Sequence, residues 1–221
     1  NNTAVGKSAL TANTTGYSNV ALGEQALLSN TTGNNNLASG RYALYSNTTG
    51  SANTGLGLQA LFGSTTASNN TAVGFQSLLA NTTGHSNVAV GANAGDAITT
   101  GDANVAVGYV ALSATTTGDY NTAVGRGALA VNTTASNNTG LGYASLGANT
   151  TGTSNVAVGR SALEANTTAS NNTGLGYGAL AANTEGTQNT AIGAYAGDAI
   201  TTGSENTTVG YASSGATTTG I

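Results

Sequence analysis

The chain has 221 residues and a formal net charge of −4, from four basic and eight acidic side chains. So few charges exclude the basic footprint of a nucleic-acid-binding domain and a polybasic membrane contact. There is no cysteine to build a disulfide framework, and no apolar run approaches the roughly 20 residues that span a bilayer.

Charged residues are 5% of the chain, far below the ~25% of ordinary soluble domains. Low charge, 33 Gly and no Trp, Met or Pro would suit a disordered tract. Strict periodicity argues otherwise, because an unstructured chain has no reason to hold apolar residues in register. The phrase NTAVGKSALTANTTGYS returns as NVALGEQALLSNTTGNN and continues with a period of 17, without insertion or deletion. Asn begins each of thirteen copies, at residues 2, 19, 36 and so on to 206, and Gly follows four positions later. Thr holds position thirteen from residue 14 to residue 218, and position fourteen everywhere except at Glu185. Thirteen copies account for the full 221 residues, so the chain reads as a single repeat domain, 1–221. It starts at Asn and shows no signal peptide, which points to an excerpt or a repeating unit of a longer fibre.

Within each copy the first element is a short strand, NTAVG or NVAVG. Its period of two puts positions two and four on one face and position three on the other. Position four is Val, Leu or Ile in twelve copies, Ser39 being the exception, and such columns are expected to be buried. Position three is only ever Ala, Gly or Thr, so that face meets something closely. Gly makes the next corner, tolerating positive φ at little steric cost. A second apolar segment follows, with Leu at position nine in ten copies, before the Asn-Thr-Thr corner. Helices are disfavoured because Gly at this frequency costs about 1 kcal/mol each time.

Short strands, Gly corners and returning columns describe an all-β fold, a parallel β-solenoid (β-roll) of thirteen 17-residue coils. Stacking at about 4.8 Å predicts a rod about 60 Å long. Asn and Thr columns can then form amide and hydroxyl ladders along the axis. Copies six and twelve break the pattern alike: Leu at position nine becomes Gly95 or Gly197, while Asn at position twelve becomes Ile98 or Ile200. This is expected to be a compensated exchange of core volume.

The strand phrases NTAVG, NVAVG and NTAIG, each followed by a small-residue turn, resemble the SVAIG-type head repeats of trimeric autotransporter adhesins (the YadA-type head). They are also similar to repeats of phage-tail-fibre-like proteins. The resemblance runs through all thirteen copies on five or six positions each, although the adhesin repeat is shorter. It implies a left-handed β-roll in which three chains pack through small-residue faces, a role suited to position three. The expected partners are other copies of the chain, as a homo-oligomer, a trimer or an end-to-end filament. Glycans or a host or matrix surface are the further expected partners, and the expected location is extracellular or the cell surface.

Candidate sites are few. No catalytic constellation stands out: His85 is the lone histidine, and a nucleophile needs a base and an orienting group within reach. No enzyme activity, cofactor or metal is expected. Asp96, Asp102, Asp119 and Asp198 read as turn formers rather than calcium ligands, and GLG at Gly55, Gly140 and Gly174 reads as packing. Position six is more informative. It holds every basic residue (Lys7, Arg41, Arg126, Arg160) along with Phe75, Tyr109, Tyr143, Tyr177, Tyr211 and Glu24. Charged residues are rarely buried unpaired, so this row faces solvent as a candidate binding stripe. Asn-Thr-Thr sequons at Asn13, Asn30, Asn47, Asn81, Asn132, Asn149 and Asn166 are candidate glycosylation sites. The overall expectation is an extracellular structural fibre or adhesin head; the alternative is an ice-binding solenoid that uses its Thr columns.

Overall fold

The computed structural model describes residues 1–214. Thr218, the last member of the position-thirteen column, lies outside them. The fold is the expected parallel β-solenoid, with thirteen three-residue strands spaced 17 residues apart. Two compact units share it, Asn1–Val110 and Ala111–Ile221. The first carries β1 (Thr3–Val5), β2 (Val20–Leu22), β3 (Leu37–Ser39), β4 (Thr54–Leu56), β5 (Thr71–Val73), β6 (Val88–Val90) and β7 (Val105–Val107). The second carries β8 (Thr122–Val124), β9 (Thr139–Leu141), β10 (Val156–Val158), β11 (Thr173–Leu175), β12 (Thr190–Ile192) and β13 (Thr207–Val209).

Within each unit the strands pair in parallel with every column in register, as in Ala4 beside Ala21 or Ala157 beside Gly174. The second apolar segment is not a strand. It runs as successive turns, yet its backbone still bonds from coil to coil, as in Leu27 N–H to the Ala43 carbonyl at 3.0 Å.

The faces are opposite to those expected. Position three is the interior: Ala21, Ala38, Ala72, Ala123, Ala157 and Ala191 are fully buried. Positions two and four point outward, and Val5, Leu22, Val124, Val158 and Ile192 are exposed. The reason lies across the coil. Leu at position nine fills the interior and presses against position three. A Cβ on Gly55 would sit 3.4 Å from Leu44 Cγ, and one on Gly140 would sit 3.4 Å from Leu129 Cγ. Nothing larger than Ala or Thr has room there. Position three is therefore small because it faces Leu of its own chain, and the interface between chains that the resemblance suggested for it is not where it points.

Those Leu residues are buried at a conformational cost. Leu27, Leu44, Leu129 and Leu163 all have φ near +50°, a left-handed backbone that costs a non-Gly residue about 1–3 kcal/mol. Full burial of the side chain contributes a similar ~1.5–3 kcal/mol, so the two terms nearly offset. Copies six and twelve relieve the strain. Gly95 takes φ +58°, and Ile98, fully buried, brings its Cδ1 to 3.0 Å from where a Cβ on Gly95 would lie. Ile200 does the same beside Gly197, at 3.2 Å. The exchange of core volume is thus real.

Asn side chains replace much of the missing apolar core. At position one, within each unit, a buried Asn accepts through Oδ1 the backbone N–H of the Asn one coil on, as in Asn36 to Asn19 at 2.9 Å and Asn138 to Asn121 at 3.0 Å. A continuous amide ladder forms instead at position twelve, with Asn30 Nδ2 donating to Asn13 Oδ1 at 2.9 Å and Asn47 Nδ2 to Asn30 Oδ1 at 2.8 Å. It stops wherever the next coil lacks Asn. Asn47, Asn81 and Asn183 have unpartnered Oδ1 atoms, and their successors in the column are Ser64, Ile98 and Ile200.

Candidate functional site

The corner that begins at position five positions the candidate row. Gly57 has φ +138°, and a Cβ there would lie 2.4 Å from the Gly74 carbonyl oxygen, so this column admits only Gly. The tight corner turns position six outward. Lys7, Arg41, Phe75, Tyr109, Arg126, Tyr143, Arg160, Tyr177 and Tyr211 are all exposed, as the charges on the four basic members required.

The two units use this row differently. In the first, Arg41 is engaged by its neighbours: Nε lies 3.3 Å from Glu24 Oε2, and a terminal nitrogen donates to the Tyr42 hydroxyl at 2.9 Å. Tyr42 in turn meets Tyr45 edge-on at 5.8 Å, and Tyr45 stacks on Phe62 at 5.1 Å with the rings 11° apart. Tyr45 and Phe62 occupy position ten of successive coils, so this half-buried aromatic cluster covers the corner.

In the second unit the row runs unbroken from Arg126 to Tyr177, and Ala194 then interrupts it. The Arg160 guanidinium lies 5.6 Å from the ring centroids of both Tyr143 and Tyr177, and Arg126 lies 5.8 Å from Tyr143. Tyr195, at position seven, stands edge-to-face on Tyr177 at 5.0 Å and on Tyr211 at 6.1 Å. A hydrogen bond with Tyr177, aided by partial burial, holds the Tyr195 phenol above its ordinary pKa. Position ten here is Glu164, Ala181 and Asp198 in successive coils, so no ring fills the space. What results is an open groove of about 640 Å³. Tyr143, Arg160, Tyr177 and Tyr195 line it together with the small residues Gly178 and Ala181 and the acidic Glu164 and Asp198. Row-six reasoning found Tyr143, Arg160 and Tyr177 but missed Tyr195, Glu164 and Asp198. The available signal was the absence of bulk at position ten, which is informative only once positions six, seven and ten are known to converge.

Other candidates take structural places. His85 belongs to a ladder at position sixteen, where each backbone N–H seeks the side chain one coil on. Its Nδ1 accepts the Ser68 N–H at 3.0 Å, and its own N–H donates to Asp102 Oδ1 at 2.6 Å. Asn34, Ser51, Ser136, Ser170 and Ser204 play the same acceptor part. Asp96 is half-buried; desolvation raises its pKa, opposed by hydrogen bonds from Asn93 and the local backbone. Among the described residues no group of three or more His, Cys, Asp or Glu side chains comes together, and no helix is long and apolar enough to cross a membrane.

The sequon asparagines lie inside the coil. Asn30, Asn47, Asn81, Asn132, Asn149 and Asn166 are fully buried, and Asn13 is half-buried. Their Nδ2 atoms point inward to carbonyls three residues on, as in Asn149 to Gly152 at 2.9 Å. A glycan on that nitrogen would have to break the ladder, so the folded coil presents none of the six buried sites for attachment. In the Thr pair, position thirteen donates its hydroxyl to the next coil's carbonyl, as in Thr31 to Thr48 at 3.0 Å, while position fourteen is exposed. Comparison with protein-family models, curated proteins and solved structures finds no match.

Proposed function

We propose that this chain is part of an extracellular structural fibre or adhesin head, in which stacked coils present a repeated surface for attachment and chains associate through the sheet face. One observation carries the reading: the Val, Leu and Ile column at position four lies on the outer face of the parallel strands, beside Val, Leu and Thr of position two. An apolar patch repeated coil after coil is the mark of a surface meant to be covered, and a second copy of the same chain offers a complementary ladder. The resemblance to adhesin head repeats supports the same assignment. Multivalency then follows, because weak contacts repeated along one chain sum through effective concentration.

Sedimentation at micromolar concentration tests it. The intact chain is expected to run as a defined oligomer, and Leu56→Lys with Val73→Lys is expected to yield a folded monomer. A wild-type monomer would remove the reading. The ice-binding alternative keeps one supporting feature, the exposed Thr of position fourteen. The position-thirteen hydroxyls, already engaged with carbonyls, weaken it, and an ice-recrystallisation assay on the intact chain decides it.

A further inference from the structure

We infer that the groove of the second unit, bounded by Tyr143, Arg160, Tyr177 and Tyr195 and flanked by Glu164 and Asp198, is a binding site for a neutral pyranose of a glycan chain. The inference rests on the attachment-surface reading above and names its ligand class.

Three observations lead to it. First, the groove is lined by aromatic rings that keep exposed surface beside the Arg160 guanidinium. Tyr143, Tyr177 and Tyr195 remain 47%, 40% and 38% exposed, and the ring contact of Tyr177 with Tyr195 is perpendicular, at 77°. An edge-to-face pair leaves ring surface free for the C–H face of a sugar, as a stacked pair does not. Second, small residues in the lining leave room. Gly178 has φ +63°, and a Cβ there would lie 3.2 Å from Tyr195 Cδ1, so the missing side chain is what lets the Tyr195 ring lean over its neighbour coil. Ala181 beside it lies between Glu164 and Asp198 in the same column, which sets the two acidic positions two coil spacings apart, about 9.6 Å. Third, the polar groups are mixed in sign. Arg160 supplies donors and the two carboxylates supply acceptors, the combination that vicinal hydroxyls of a sugar satisfy. An anionic sugar meets Glu164 and Asp198, and a cationic ligand meets Arg160, which already lies against two of the rings. The volume, about 640 Å³, falls within the ~300–1,000 Å³ of small-ligand clefts.

The test uses the full chain and saturation-transfer NMR with methyl glycosides of glucose, galactose, mannose and N-acetylglucosamine. Sialyllactose and tetramethylammonium serve as anionic and cationic comparators. At least one neutral glycoside is expected to receive saturation. Ala181→Phe, which places at position ten the ring that Phe62 supplies in the first unit, is expected to weaken it about tenfold. Should that variant fail to fold, Glu164→Gln keeps the packing and is expected to weaken binding through the lost acceptor charge. The inference is overturned by no signal from any neutral glycoside, by binding undiminished in both folded variants or in Glu164→Gln alone, or by signal from a comparator only. Sedimentation of the same samples reports self-association independently, so an empty groove on an intact oligomer would remove this site and leave the fibre reading standing.

Discussion

The two units run the same seventeen-residue programme and differ most at one corner. In Asn1–Val110 positions seven and ten carry Tyr42, Tyr45 and Phe62, which pack on one another and close the space. In Ala111–Ile221 the corresponding places include Gly178 and Ala181, and the same corner stands open between Arg160, Tyr177 and Tyr195. The scaffold does not decide whether a corner binds or is filled. A few side chains outside the ladders decide it, because the coil keeps its shape through interior contacts that these residues do not share. Function in such a fold is adjustable one coil at a time.

The comparison breaks first if the scaffold itself differs between units. Gly57→Ala and Gly142→Ala each push a Cβ to within 2.4–2.6 Å of carbonyl atoms of the next coil. Both are expected to cost at least ~3 kcal/mol, measured by denaturant unfolding; a marked inequality would show that the units do not share one corner design. Phe62→Ala, removing one member of the stacked pair, is expected to cost about 2 kcal/mol, ring contact and lost burial together, and to open a cleft in the first unit. If it gains affinity for the sugars that the second unit binds, openness alone sets binding; if it does not, the Arg160 and carboxylate chemistry is required. Ser64→Asn is expected to stabilise the first unit by about 1 kcal/mol, by giving Asn47 Oδ1 the donor it lacks. An unchanged midpoint would mean that the ladder is not limiting at its break.

The smallest effect is pH-dependent and confined to the first unit. Burial raises the folded-state pKa of Asp96, so the native state binds its proton more tightly than the unfolded chain does. Stability from this group is fully present below the unfolded carboxylate pKa and is lost as pH rises through the higher folded value. Asp96→Asn should therefore raise the melting temperature at neutral pH, with the gain disappearing in acid. A gain that persists unchanged at low pH would assign the effect to something other than the charge.

Much was legible in the residues alone. The period, the parallel stacking, the Gly corner, the exposure of row six and the paired exchange of Gly95 with Ile98 all follow from columns of identity. Each column has a local physical requirement: a positive φ, a charge that needs water, or a conserved interior volume. Other features were hidden. Alternation within NTAVG says that positions two, three and four take opposite faces, but nothing local says which face is inside. Only the tertiary structure decided that, because Leu at position nine reaches across a coil too narrow to admit Val opposite it. The same packing holds Leu27 and its equivalents at positive φ, which no propensity would suggest. It also turned the sequon asparagines inward, where a buried amide is worth more to the ladder than to solvent. The groove, too, was a tertiary decision. Residues at positions six, seven and ten are ordinary in sequence and meet only because the turns between them fold back onto one edge of the coil.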